Sequence, residues 1–387
     1  MTNYSLLHKQ FLVNTYVNRG IALISGKGMY LYDENKNKYL DCMSNYGVNI
    51  LGHSHTGITK TLKNQLETLS VLHSSFANDI RVRAAQQLVK EVGRGIASVY
   101  FSNSGAEAME AALKFAAVAT GKKRFISCKN SFHGKTLGAL SATGEEKYRD
   151  PFKPLLWNFT HIDYNDVKAL EKNITEDTAA FIVEPIQGEG GIYIPHENYF
   201  KEVSKICDEK RILLIIDEIQ TGCGRTGRFL ASQISDVNYD IVCLGKGLAG
   251  GIPVGATLVS EKIAAKITRG VNTSTFGGNP LACAGILETL KLLDEEMLAH
   301  VIEMGDYFLG QLIKIKSSLI RDVRGKGLMI GIEVKDKRND ILKALQQEYI
   351  LTIPAGENVV RLLPPLIIEK KHVDEIVDKL NKVLKLV

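Results

Sequence analysis

The chain is expected to be an α/β protein with a mostly parallel sheet and a smaller α+β part drawn from both ends. Three observations predict this. Short apolar runs alternate with helical stretches from residue 57 into the 250s, the pattern of strands joined by helical crossovers. Those runs end in polar or small residues, as strands do when a ligand site lies at their carboxyl ends. After about residue 280 helices return, followed by a strand-like GLMIGIEV (327–334) and a closing helix from His372 to Leu386. The expected division is an N-terminal segment of the small domain (1–50), a large domain (51–285) and a C-terminal small domain (286–387).

Taken in order, residues 27–41 read as a hairpin, two aromatic-rich strands around a polar Asp-Glu-Asn turn. With no other partner in its neighbourhood, it is expected to pack with the C-terminal part. IRVRAAQQLVKEV (80–92) and GAEAMEAALKFAAVA (105–119) carry helical spacing. SVYFS (98–102), RFISC (124–128), AAFIVE (179–184), RILLIID (211–217) and YDIVCLG (239–245) are the strands between helices.

Composition narrows the function. At 387 residues, 45% hydrophobic and 24% charged, the chain can bury a large core. The net charge of +5 is not gathered into basic blocks, so nucleic acid is not an expected partner. No apolar run reaches the roughly 18–20 residues that span a bilayer, so no membrane association is expected. The first residues lack the pattern of a secretion signal. Six scattered cysteines without a CxxC pair suggest neither a disulfide framework nor a zinc site, so no metal is expected and the cytoplasm is the expected compartment.

Four features carry chemistry. SVYFSNSGAEAMEAALKFA reads as strand, small-residue turn and helix, placing Ser104, Gly105 and Ala106 at a helix N-terminus where free N–H groups can hold an anion. A plain N-cap would look the same. GCGRTG (222–227) matches GxGxxG but is separated from its strand by DEIQT and opens no apolar-faced helix, so the dinucleotide reading fails. LGKG (244–247) is no P-loop, because Asp240 stands where its first glycine belongs and Gly247 follows Lys246. Lys246 itself ends an apolar run; alone it reads as a lysine reaching for solvent, although desolvation would make it an amine able to form a Schiff base.

The combination decides between these readings. Pyridoxal phosphate needs an anion site for its phosphate, a carboxylate for its ring nitrogen and a lysine for its aldehyde. Asp217, after RILLII, supplies the carboxylate, and the cofactor's charged nitrogen would offset the cost of burying it.

Eight motifs in order then resemble the class III (ω-amino) aminotransferases of fold type I over nearly the whole chain. They are LGHSH (51–55), SNSGAEA (102–108), SFHGKTLGALSATG (131–144), EPIQGEGG (184–191), DEIQTGCGRTG (217–227), LGKGLAGGIPVGA (244–256), STFGGNPLAC (274–283) and VRLLPP (360–365). Within the family, chain length and TEDTAAFIVEPIQGEGG (175–191) are most similar to acetylornithine aminotransferases and their LysW-linked lysine-biosynthesis relatives. The resemblance implies a seven-stranded central sheet. It also implies that Lys246 binds the cofactor aldehyde and shuttles a proton, Asp217 pairs with the ring nitrogen, Gln220 lies near the ring hydroxyl and Phe132 stacks on one ring face. Ser104, Gly105 and Ala106 would bind the phosphate, and Thr275 would reach the phosphate in the neighbouring subunit, which implies a homodimer with shared sites. Substrates, an amino donor and 2-oxoglutarate, would meet Lys135, Ser274 and Arg361, with Glu189 masking Arg361 while the donor is bound. A permanent Glu189–Arg361 ion pair remains the alternative. Lys135 stands where the acetylornithine enzymes carry an arginine, and a point charge in place of a fork costs on the order of 1–2 kcal/mol, roughly ten-fold in binding. That lysine, with GALSAT, CLGK and DCMSNYG (41–47), is similar to putrescine aminotransferases. A diamine or ornithine therefore stands as the alternative donor to N-acetylornithine.

Overall fold

The structure, a computed structural model, describes residues 4–235 and 237–387. Its strands, numbered in chain order, make three sheets. The N-terminal sheet holds β1 (Leu23–Lys27), β2 (Tyr30–Asp33) and β3 (Lys38–Asp41). The central sheet holds β4 (Ile96–Ser102), β5 (Arg124–Cys128), β6 (Asn158–Ile162), β7 (Thr178–Val183), β8 (Leu213–Asp217), β9 (Ile241–Leu244) and β10 (Gly255–Ser260), in the order 4-10-9-8-7-5-6. β11 (Ile320–Lys326) and β12 (Met329–Val334) pair with β15 (Val359–Leu362) and β14 (Ile353–Ala355) in a C-terminal sheet of order 11-12-15-14, while β13 (Ile350–Leu351) joins the N-terminal sheet.

β13 runs parallel to β3, with Ile350 opposite Leu40, so the two ends of the chain share a sheet. The hairpin expected at 27–41 is the antiparallel β2–β3 pair, Tyr30 opposite Leu40.

The central sheet is parallel except for β10, which lies antiparallel between β4 and β9. β7 and β8 are buried along their whole length, and both their faces are apolar, as strands covered by helices on each side require. Side chains alternate between two cores: Phe181, Val183, Leu214 and Ile216 join one, and Ala180, Ile182, Leu213 and Ile215 join the other. The helix Gly105–Thr120 packs on the second face through Ala108, Ala111, Ala112 and Ala116. Its alanines let it approach closely enough for the Ala108 carbonyl to accept from the Thr257 hydroxyl of β10 at 2.7 Å.

All five expected strands are present. β6 and β10 complete the seven, and neither reads as a strand by itself. β6 is NFTHI, largely polar and at the edge of the sheet, and β10 hides behind the glycines of GLAGGIPVGA. The closing helix starts at Lys370, two residues before its predicted start, because the Glu369 N–H is capped by the ring of His372 at 3.0 Å.

GCGRTG becomes a joint between sheets. Arg225, fully buried, donates to the carbonyls of Leu328 (3.1 Å) and Pro364 (2.5 Å), and its own carbonyl accepts from Leu328 N–H at 3.0 Å. Burial lowers its pKa to about 9. Among the described residues no helix is long and apolar enough to cross a membrane.

Because β10 runs against its neighbours, its first residue, Gly255, meets the ends of the others. A Cβ there would stand 2.1 Å from the Ser104 carbonyl oxygen and 2.5 Å from the Ser102 hydroxyl. Gly255→Ala should therefore cost about 1–3 kcal/mol by overpacking, read as a lowered thermal midpoint. An unchanged midpoint would show that the Ser104 turn yields freely.

Candidate active site

The six strands that run together all end on one edge of the central sheet, and charged side chains converge there. Asp217, the last residue of β8, is buried; one oxygen accepts from His133 Nδ1 at 2.7 Å and the other from Ile219 N–H at 3.0 Å. His133 follows β5. Burial opposes a charge on its ring, but the bond to Asp217 and the charges of Asp217 and Glu184 prevail and raise its pKa. Its Nε2 has no hydrogen-bond partner among the described residues. After β7, Glu184 is buried and accepts from Phe132 N–H (3.0 Å) and Gly188 N–H (3.1 Å).

Arg361 enters from the C-terminal sheet. It lies on β15 between β12 and β14, fully buried. Its guanidinium donates to Glu189 (2.7 Å), Gln220 (3.0 Å) and the Pro354 carbonyl (3.1 Å), with the Tyr46 ring 5.5 Å away. Glu189 is half-buried; desolvation would raise its pKa, but Arg361, Lys246 and Lys135 together hold it below the usual carboxylate range. Gly188 is required here, because a Cβ would come 2.1 Å from the Gln220 side-chain oxygen.

Lys246 follows β9 with φ +46°, a left-handed backbone that costs a non-glycine residue of order 1–3 kcal/mol and is common at functional sites. Desolvation lowers its pKa; Glu189 opposes that shift, Arg361 adds to it, and Asp217 and Glu184 oppose it in turn. The amine thus stands among three acids and the buried guanidinium.

Ser104 is the N-cap of Gly105–Thr120, its hydroxyl accepting from Glu107 N–H at 3.2 Å. The first-turn N–H groups of Gly105 and Ala106 have no carbonyl partner within a helix. Glycines bring this turn against the rest of the site. A Cβ on Gly105 would sit 2.7 Å from Ile219, one on Gly245 would sit 3.3 Å from Gly105, and one on Gly134 would sit 2.8 Å from the Ala106 methyl. The exits of β4, β5, β8 and β9 therefore touch.

Phe132 is half-buried and meets the edge of Tyr148 at 5.7 Å. Lys135 is exposed, its ammonium 4.5 Å above the Tyr148 ring. The Ser274 hydroxyl accepts from the Asn103 amide at 3.2 Å, beside the Ser104 turn. Thr275 is exposed. The structure thus gathers Asp217, Lys246, Glu189, Arg361, Gln220, Phe132 and the 104–106 turn, with Lys135 and Ser274 at the margin and Thr275 outside.

Sequence reasoning passed over His133, Glu184, Tyr46 and Tyr148. Glu184 was within reach, since it ends AAFIVE as Asp217 ends RILLIID. Tyr46 could not be foreseen: it projects from a turn in which Ser44, Asn45 and Tyr46 all have positive φ. Glu218, beside Asp217, serves structure instead, accepting from the N–H groups of Ala231 (3.1 Å) and Ser232 (2.8 Å).

Residues 13–384 match the family described as Aminotransferase class-III. The chain is 42% identical over 381 residues to an acetylornithine aminotransferase of Aquifex aeolicus, covering 97% of this chain and 100% of that protein. It is 44% identical over 355 residues to a Pyrococcus furiosus protein provisionally named a [LysW]-aminoadipate semialdehyde/glutamate semialdehyde transaminase, covering 92% and 93%. Among solved structures, the ornithine aminotransferase of Toxoplasma gondii, with partial occupancy of PLP at its active site, superposes with a TM-score of 0.95 at 34% identity, covering 99% and 94%.

The Asp217–His133 pair can be tested alone. In Asp217→Asn the burial cost at His133 loses its main compensation, so the imidazole pKa should fall from above to below its ordinary value. Nitrogen-detected NMR titration of the ring reads this; an unmoved pKa would mean that Asp217 does not hold the proton there.

Proposed function

We propose that this chain, which belongs to the class III aminotransferases, moves a terminal amino group from N-acetylornithine or a similarly blocked basic amino acid to 2-oxoglutarate, giving a semialdehyde and glutamate. It is a transaminase dependent on pyridoxal phosphate, and the residues present fit that group. A helix start with free N–H groups, glycines that leave no Cβ in the way, a buried acid and a desolvated lysine lie together. When bound, pyridoxal phosphate supplies an aldehyde that takes up the amino group and a ring that accepts the electron pair left when a carbon loses its proton.

The chain's own residues do the rest. Ser104, Gly105 and Ala106 hold the phosphate. Asp217, bonded to His133 at 2.7 Å, would keep a proton on the ring nitrogen, Phe132 would cover one ring face and Gln220 would serve the ring hydroxyl. Lys246 would hold the aldehyde until a substrate amine displaces it, and its lowered pKa would then leave the released Nζ neutral and able to take a proton from the substrate carbon and return it. Lys135 and Ser274 receive the substrate's outer polar groups. Exposed Thr275 reaches the phosphate in a second copy, so the working unit is a homodimer. All six cysteines are buried and unbridged, which suits the reducing cytoplasm.

One observation carries the reading: Arg361, wholly buried, with Glu189 at 2.7 Å. A donor entering by its distal amine brings no carboxylate to that spot, and Glu189 supplies the missing charge. The 2-oxo acid does bring one, and its carboxylate replaces Glu189 on the fork. One site can thereby serve two substrates of different charge. A diamine or ornithine donor is the second reading, favoured by Lys135, whose single ammonium lies over Tyr148.

Lys246→Ala should leave a folded protein with no measurable steady-state transamination; appreciable turnover would sink the assignment. Single-turnover absorbance with N-acetylornithine, ornithine and putrescine decides the donor. Rapid conversion with N-acetylornithine alone supports the first reading, and preference for putrescine or ornithine replaces it with the second.

A further inference from the structure

We infer that Glu184 is a positioning residue that ties the segment carrying Phe132 and His133 to the turn carrying Glu189, so that the cofactor-facing and substrate-facing walls of the site move as one. Its carboxylate is buried and forms no ion pair among the described residues. Each oxygen instead accepts a main-chain N–H from a different segment, Phe132 at 3.0 Å and Gly188 at 3.1 Å. Beyond Phe132 lies His133, bonded to Asp217 at 2.7 Å. Beyond Gly188 lies Glu189, bonded to Arg361 at 2.7 Å. The missing side chain of Gly188 leaves room for Gln220, which accepts from Arg361 at 3.0 Å. Hydrogen bonds and two short lengths of backbone therefore connect Asp217 to Arg361 through Glu184. This carboxylate spans the exits of β5 and β7.

The same geometry makes the tie sensitive to pH. His133, Asp217, Lys246, Tyr164 and Cys128 face Glu184 from the elements around it. Burial pushes its carboxyl up to about 7, with His133 opposing and Asp217 assisting. Ionised, both oxygens accept. Protonated, one becomes a hydroxyl that donates, so one of the two ties is lost as pH falls through about 7.

The test uses holoenzyme with Glu184→Gln and Glu184→Ala, and has two arms. Gln keeps one acceptor oxygen and presents an NH2 group to the other N–H. Amide exchange, each variant compared with wild type at the same pH, should quicken about ten-fold in one of the segments 130–134 and 186–190 in Glu184→Gln, and in both in Glu184→Ala. The acid limb of kcat/KM near pH 7 should disappear in Glu184→Gln, because the amide does not titrate. Wild-type protection of both segments in Glu184→Gln, or an acid limb that survives there, overturns the inference; Glu184→Gln carries the test if Glu184→Ala does not fold. The kinetic arm rests on the aminotransferase reading and the exchange arm does not. A wild-type enzyme without transaminase activity would strike that reading and leave exchange to decide on Glu184.

Discussion

Burying Arg361 is the constraint on which the site depends. A guanidinium removed from water costs several kcal/mol unless its N–H groups are met, and here the two terminal NH2 groups are met from two directions, while Nε has no hydrogen-bond partner among the described residues. Pro354 belongs to its own sheet, whereas Glu189 and Gln220 follow strands of the central sheet. The cation can be accommodated only if the C-terminal sheet docks where β7 and β8 end. Arg225 reinforces that docking from the other side by bonding to Leu328 and Pro364. The relative placement of the sheets and the electrostatics of the site are thus one problem with one solution.

The remaining charges follow from that placement. Burial pushes the Glu184 carboxyl up to about 7, with the charge of Asp217 assisting and that of His133 opposing. Glu189 escapes because Arg361 faces it, whereas Glu184, given only main-chain N–H groups, remains near neutrality. Lys246 feels the same field and keeps a lowered pKa, because burial outweighs the acids around it. Groups alike in water acquire different proton affinities, which is what acid–base work at neutral pH requires.

Much of this was legible in the chain. Continuous apolar runs announced the buried parallel strands, since a strand covered on both faces has no polar face to show. Asp217 and Lys246 stood out because a charge at the end of such a run is expensive. β6 escaped notice because an edge strand can be polar, and β10 because its leading glycines serve a close approach to Ser104. Glu184 obeyed the same rule as Asp217 yet went unremarked; its motif directed attention to Glu189 instead.

The sequence by itself determined the alternation of strands and helices, the strand ends where ligands gather and the residue types available there. These are local properties, set by hydrophobic period, helix caps and turn chemistry. Only the tertiary structure decided which acid meets which base. Nothing local says that Arg361 lies 2.7 Å from Glu189, that His133 closes on Asp217, or that three residues of positive φ set Tyr46 beside the guanidinium. Those pairings join residues far apart in the chain, and each energy depends on a separation and a degree of burial that exist only once the sheets have packed.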